Sequence, residues 1–91
     1  MRVVCYGYNH ETASVASREK VSFTETVLPE ALKDLLKIDG VEESVILSTC
    51  NRMEIYTVAA ETVSSNAMVM RLQQWLHERF QLDQNDLNAL M

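Results

Sequence analysis

The stretch that decides the fold is residues 41–60, VEESVILSTCNRMEIYTVAA. It holds two strand-like runs, 41–49 and 52–60, rich in β-branched and aromatic residues. The first is most apolar at Val45, Ile46 and Leu47. In the second, Met53, Ile55 and Thr57 fall on one face and Glu54, Tyr56 and Val58 on the other, because side chains alternate along a strand. So few residues separate the two runs that an antiparallel hairpin is expected. Cys50, Asn51 and Arg52 then stand at or near its tip.

Working outward, RVVCYGYN (2–9) reads as a first strand, and HETASVASREKVSF (10–23) as a connecting loop. TETVLPEALKDLLKIDG (24–40) carries Leu28, Leu32, Leu35 and Leu36 at helical spacing. Starting that helix at Thr24 would put Pro29 in its second turn and cost a hydrogen bond. A short turn over 24–27, followed by a helix with Pro29 near its first position, avoids that cost. Gly40 is expected to supply the left-handed stop. SSNAMVMRLQQWLHERF (64–80) is a second amphipathic helix, capped by Ser65 or Asn66, with Met68, Leu72, Trp75, Leu76 and Phe80 as its buried stripe. Asp83 is placed to cap a last short helix.

The order is therefore β-α-β-β-α with a short extra helix. This is an α+β fold: a ferredoxin-like split β-α-β layout, an antiparallel sheet with helices on one face, lacking the last strand of the full pattern. The expectation is either a native three-stranded domain or a piece of a longer chain. An unpaired sheet edge of this kind invites association.

Composition sets limits on function. At 91 residues the chain can build one domain around one core. With 47 % apolar and 23 % charged residues it has a globular balance, so disorder is not indicated. No apolar run is long enough to span a bilayer, and no secretory signal opens the chain. Two cysteines, Cys5 and Cys50, fit a reduced, cytoplasmic setting better than a disulfide framework. His10 and His77 belong to no metal-ligand spacing, so no metal is expected. The net charge of −5, with no basic run, argues against a nucleic-acid-binding surface on this segment.

Cys50 has two readings. A free cysteine is often a small buried filler. Here, however, Thr49, Asn51 and Arg52 surround it with polar groups, and a nearby cation lowers a thiol's pKa toward the reactive thiolate. Arg52 is either a solvated turn residue or a planar fork for a carboxylate or phosphate. Thr49 and Asn51 serve either turn chemistry or the orientation of a small polar ligand. Together, a thiol, a guanidinium and two short polar side chains in four consecutive residues describe a small site. His10 and His77 read as a loop histidine and a residue on a solvated helix face. The alternative is a non-catalytic α+β module with a structural cysteine.

These residues also carry a resemblance. YGYNHETASVASREKVSF resembles the opening of the glutamyl-tRNA reductase family, where Gly-x-Asn-His-x-Thr-Ala precedes an Arg-Glu pair. LPEALKDLL and GVEESVILSTCNRMEIY resemble its next blocks, and STCNR followed one residue later by Glu is the most specific signature. The likeness covers nearly the whole chain and is strongest over residues 6–56. It implies that residues 1–91 form a single, incomplete N-terminal catalytic domain that recognises glutamate. It implies NADPH-dependent reduction of glutamyl-tRNA to glutamate-1-semialdehyde, in tetrapyrrole synthesis. Cys50 would be the nucleophile that forms a thioester, with Thr49, Asn51 and Arg52 lining the glutamate pocket. NADPH would bind a separate domain, because no Gly-x-Gly-x-x-Gly can be built from Gly7 and Gly40 alone. Implied partners are the tRNA substrate, a second subunit of a homodimer, and the downstream semialdehyde aminotransferase. Two positions depart from the family pattern: Met53 stands where Thr or Ser is usual, and Ser14 where Pro is frequent.

Overall fold

The computed structural model describes residues 2–9, 23–49 and 52–80. They form β1 (Arg2–Asn9), α1 (Leu28–Leu35), β2 (Val41–Ser48), β3 (Arg52–Ala59) and α2 (Ser65–Phe80). The sheet order is β1-β3-β2, and β3 is antiparallel to both neighbours. β1 and β2, joined through α1, therefore run the same way with β3 between them. That is the split β-α-β arrangement, and the expected α+β fold is what the chain adopts. The expected short helix from Asp83 and the loop over 10–22 lie outside the described residues.

Both helices cover one face of the sheet. Val4, Tyr6 and Tyr8 from β1 and Met53, Ile55, Thr57 and Ala59 from β3 point into the core. Ala31 and Leu35 of α1 and Met68, Leu72, Trp75 and Leu76 of α2 close it from above. The alternation expected for β3 holds residue by residue. Thr57 is the one buried polar side chain among the described residues, and its hydroxyl donates to the Val4 carbonyl at 3.3 Å. That bond satisfies a group that would be costly to bury alone.

The opposite face is open. The cross-strand rows there are Val3–Val58–Glu43, Cys5–Tyr56–Val45 and Gly7–Glu54–Leu47. The apolar triplet of β2 is thus split: Ile46 is half-buried under the helices, while Val45 stands on the open face and is 60 % exposed.

Three local expectations need correction. The helix of residues 28–35 begins after a turn closed by Val27 and Leu28 amides on the Thr24 carbonyl, as anticipated, but it ends at Leu35. Gly40, at φ +96°, does not stop that helix. It sits instead in the next turn, closed by the Val41 amide on the Ile38 carbonyl, where a positive φ is required. Leu36, expected on the apolar stripe, is exposed, and Ala31 is fully buried in the core. The cap of α2 is Ser64, whose hydroxyl accepts from the Ala67 amide at 3.1 Å. Only a residue one step before the helix can reach the third helical amide, so Ser65 and Asn66 are already inside.

Phe23 belongs to the core, although the sequence places it in a loop. Its ring stacks on Trp75 (centroids 6.1 Å apart) and meets Phe80 edge-on at 5.2 Å. Arg79 lies over Phe23 at 5.8 Å and Trp75 at 5.4 Å, and pairs with Glu30 (3.5 Å) and Asp34 (3.7 Å). The Trp75 indole donates to Asp34 at 3.0 Å. This cluster ties the end of α2 to α1. Glu30 is largely exposed, so that ion pair contributes little; the shielded guanidinium over two rings carries more. Arg79→Ala is expected to destabilise the fold by about 1–2 kcal/mol, read from the urea midpoint at unchanged slope.

Candidate active site

The site is built at the β2–β3 connection. Thr49 follows β2 and Arg52 opens β3. The Thr49 amide donates to the Arg52 carbonyl at 2.8 Å, and the Arg52 amide donates to the Thr49 hydroxyl at 3.1 Å. These bonds cinch the two ends of the connection, as a short polar side chain does in a tight turn. Of the four residues singled out from sequence, the structure therefore brings Thr49 and Arg52 together. Cys50 and Asn51 stand between them in the chain and lie outside the described residues, as does His10.

Arg52 projects on the open face and is about half exposed. One terminal nitrogen meets Glu54 at 3.4 Å. Glu54 is the centre of a small network that sequence reasoning missed. Its other oxygen lies 3.9 Å from the Cys5 sulfur, and Tyr56, two residues along the same face of β3, turns its phenol toward the Glu54 carboxylate. That contact holds the phenolic proton and pushes the Tyr56 pKa up. Alternation along β3 placed Glu54 and Tyr56 on one face. Cys5 joins them only through the β1–β3 register, which no local pattern reveals.

The network sets the chemistry of Cys5. Partial desolvation raises the Cys5 pKa, the neighbouring Tyr56 hydroxyl opposes this, and the Glu54 charge adds to it. Cys5 is thus held as a thiol at neutral pH, and a thiol is not the nucleophile. Alkylation of Cys5 by iodoacetamide is expected to stay slow through neutral pH and to accelerate only above the ordinary thiol range. Peptide mapping across a pH series reads this, and fast labelling of Cys5 at pH 7 is the contrary result.

His77 is exposed on α2 and contacts none of these groups in the described structure. Among the described residues, no group of three or more His, Cys, Asp or Glu side chains could hold a metal ion. A dinucleotide does not fit here either. That ligand needs a glycine-rich turn from a strand into a helix, normally on a parallel sheet, whereas this sheet is antiparallel with Gly7 inside a strand. No described helix is long and apolar enough to cross a membrane.

An antiparallel split β-α-β sheet whose β2–β3 connection runs Thr49-Cys50-Asn51-Arg52 in sequence defines a small α+β domain. A family model described as glutamyl-tRNAGlu reductase, N-terminal domain, matches residues 6–91. The chain belongs to that family. It is 44 % identical over all 91 residues to the glutamyl-tRNA reductase of Hydrogenovibrio crunogenus, covering 20 % of that protein. It is 45 % identical over 87 residues to that of Pseudoalteromonas atlantica, which is 96 % of this chain and 19 % of the relative. With that of Pseudomonas fluorescens it shares 42 % identity over 89 residues, 98 % of this chain and 20 % of the relative. The chain thus spans about a fifth of the length of the curated relatives it matches.

Proposed function

We propose that this chain is the glutamate-capturing N-terminal catalytic domain of a cytoplasmic, NADPH-dependent glutamyl-tRNA reductase. The product of the whole protein is glutamate-1-semialdehyde, a precursor of tetrapyrroles. The observation that carries the reading is the cinched Thr49–Arg52 connection, whose two hydrogen bonds hold the backbone at Thr49 and Arg52, the residues that flank Cys50 and Asn51 in the chain.

In this reading the Cys50 thiolate attacks the carbonyl carbon of the aminoacyl ester. The carbon–oxygen bond to the tRNA ribose breaks, the ribose oxygen takes up a proton, and a thioester remains on sulfur. Arg52 offers its planar fork to the substrate side-chain carboxylate. Asn51 and the Thr49 hydroxyl orient the glutamyl group. Arg52 also favours the thiolate over the thiol, and a cysteine needs no separate base to be partly ionised. NADPH, when bound elsewhere in the longer protein, supplies the reducing equivalents. The acidic balance of this segment leaves most tRNA contacts to other parts of that protein. Its partners are the charged tRNA, a second subunit and the aminotransferase that consumes the aldehyde.

Intact-mass analysis tests the reading. The chain is mixed with glutamyl-tRNA, with Cys50→Ser as control. One glutamyl adduct, absent from the variant, is the expected result. An adduct that survives Cys50→Ser overturns the assignment. So does the absence of any adduct in both this chain and the longer protein.

A further inference from the structure

Arg52 is held at both ends. Two hydrogen bonds to Thr49 fix its backbone. At the other end its Nη1 lies 3.4 Å from the Glu54 Oε1. The two residues are two apart on β3, so alternation sets both side chains on the open face. Glu54 is confined there in its turn. Along the strand it stands between Arg52 and Tyr56, and the Tyr56 phenol turns toward its carboxylate. Its second oxygen lies 3.9 Å from the sulfur of Cys5, a diagonal neighbour on β1. Directly across, Gly7 contributes no side chain, and Leu47 flanks it from β2. The Glu54 side chain is 24 % exposed and that of Arg52 56 %. The acid is thus the shielded member of the pair and the guanidinium the presented one.

We propose that Glu54 is the positioning residue of Arg52: it holds one edge of the guanidinium so that the other meets the side-chain carboxylate of the glutamyl substrate. The proposal rests on the reading of Arg52 as the fork for that carboxylate. An ion pair this exposed contributes little to folding, and shielding a carboxylate carries a desolvation cost. What the pair does change is the freedom of Arg52. A long side chain must give up its rotamers when it binds a ligand, and a partner already engaged removes that cost in advance. The contact spends one terminal nitrogen. Arginine has five N–H donors, so a fork remains for the incoming carboxylate. Glu54 touches no substrate and acts only through Arg52.

Steady-state kinetics of the longer reductase with glutamyl-tRNA tests it, on Glu54→Ala, Arg52→Ala and the double variant. Glu54→Gln, the milder change, keeps the length and one acceptor oxygen, and circular dichroism verifies each fold. Glu54→Ala is expected to raise KM about threefold to tenfold, the scale of freeing one long side chain, with the change falling on KM rather than kcat. Glu54→Gln is expected to fall between it and wild type. In the Arg52→Ala background Glu54→Ala is expected to add nothing, because its effect passes through the guanidinium. Losses that add in the double variant, together with a lowered melting temperature, make the carboxylate merely structural and overturn the proposal. A lowered KM in Glu54→Ala makes it a competitor for Arg52 and overturns it equally. An unchanged KM in Glu54→Ala beside a raised one in Arg52→Ala overturns the positioning role and leaves the glutamate pocket standing. An unchanged KM in Arg52→Ala overturns both.

Discussion

Gly7→Ala is expected to abolish the folded state, or leave it so weakened that it melts near room temperature. Gly7 lies inside β1, opposite Glu54 of β3. A methyl group there would be driven into the Met53 carbonyl oxygen and would sit 2.9 Å from the Glu54 Cα. Both obstacles are backbone, so no rotamer change relieves them. Side-chain overpacking typically costs about 1–3 kcal/mol because side chains can yield. Here β1 must move off β3, which breaks ladder bonds as well, so the cost lies above that range. A small domain has a total margin of only about 5–15 kcal/mol. Gly40 is the useful comparison. Its added methyl would meet the Val63 side chain at 2.6 Å, and its positive φ adds strain. Yet that site is a turn at the edge of the core, and the side chain can shift. Gly40→Ala is therefore expected to cost less than Gly7→Ala. Thermal melts of both variants decide it, and a Gly7→Ala chain that melts within a few degrees of wild type contradicts the close-approach account.

Cys50→Ser in the longer reductase is expected to lower glutamyl-tRNA turnover by at least about a thousandfold, the scale on which removing an essential nucleophile is felt. Serine keeps the size and hydrogen-bonding capacity of the side chain but is not ionised at neutral pH. The loss should fall on kcat, with KM for glutamyl-tRNA changed little, because the charged tRNA is held by other contacts. Arg52→Lys is the paired control: it keeps the charge and loses the planar fork, so its effect should fall mainly on KM. Steady-state kinetics with tritiated hydride donor separates the two. Unchanged turnover in Cys50→Ser removes the nucleophile assignment outright.

Much of the architecture was legible because period and punctuation agreed. The alternation of residues 53–58 assigned both faces of β3 correctly, and the short gap at Cys50 and Asn51 implied the hairpin that forms. Met68, Leu72, Trp75 and Leu76 follow helical spacing and are buried as that spacing requires. What failed was local or non-local in identifiable ways. Ser64, Ser65 and Asn66 are all competent caps, and only the helix phase chooses among them. Gly40 satisfies a positive φ, but two turn positions could use one. Phe23 looked like loop because its partners, Trp75 and Phe80, are more than fifty residues away. The Glu54–Cys5–Tyr56 network needed the β1–β3 register. Of the Thr-Cys-Asn-Arg site, the family signature pointed to all four residues, while the structure describes the pair that frames it.

Trp75 is the only tryptophan in the chain. Its ring rests on Phe23, and the Phe23 amide donates to the Ser48 hydroxyl at 3.2 Å, one residue before Thr49. The emission of this single fluorophore therefore looks down a line of contacts onto the end of β2. Under the proposed function, a glutamyl group taken up at the hairpin is expected to change the emission of this indole through those two contacts, and a stopped-flow fluorescence trace on mixing with glutamyl-tRNA checks it.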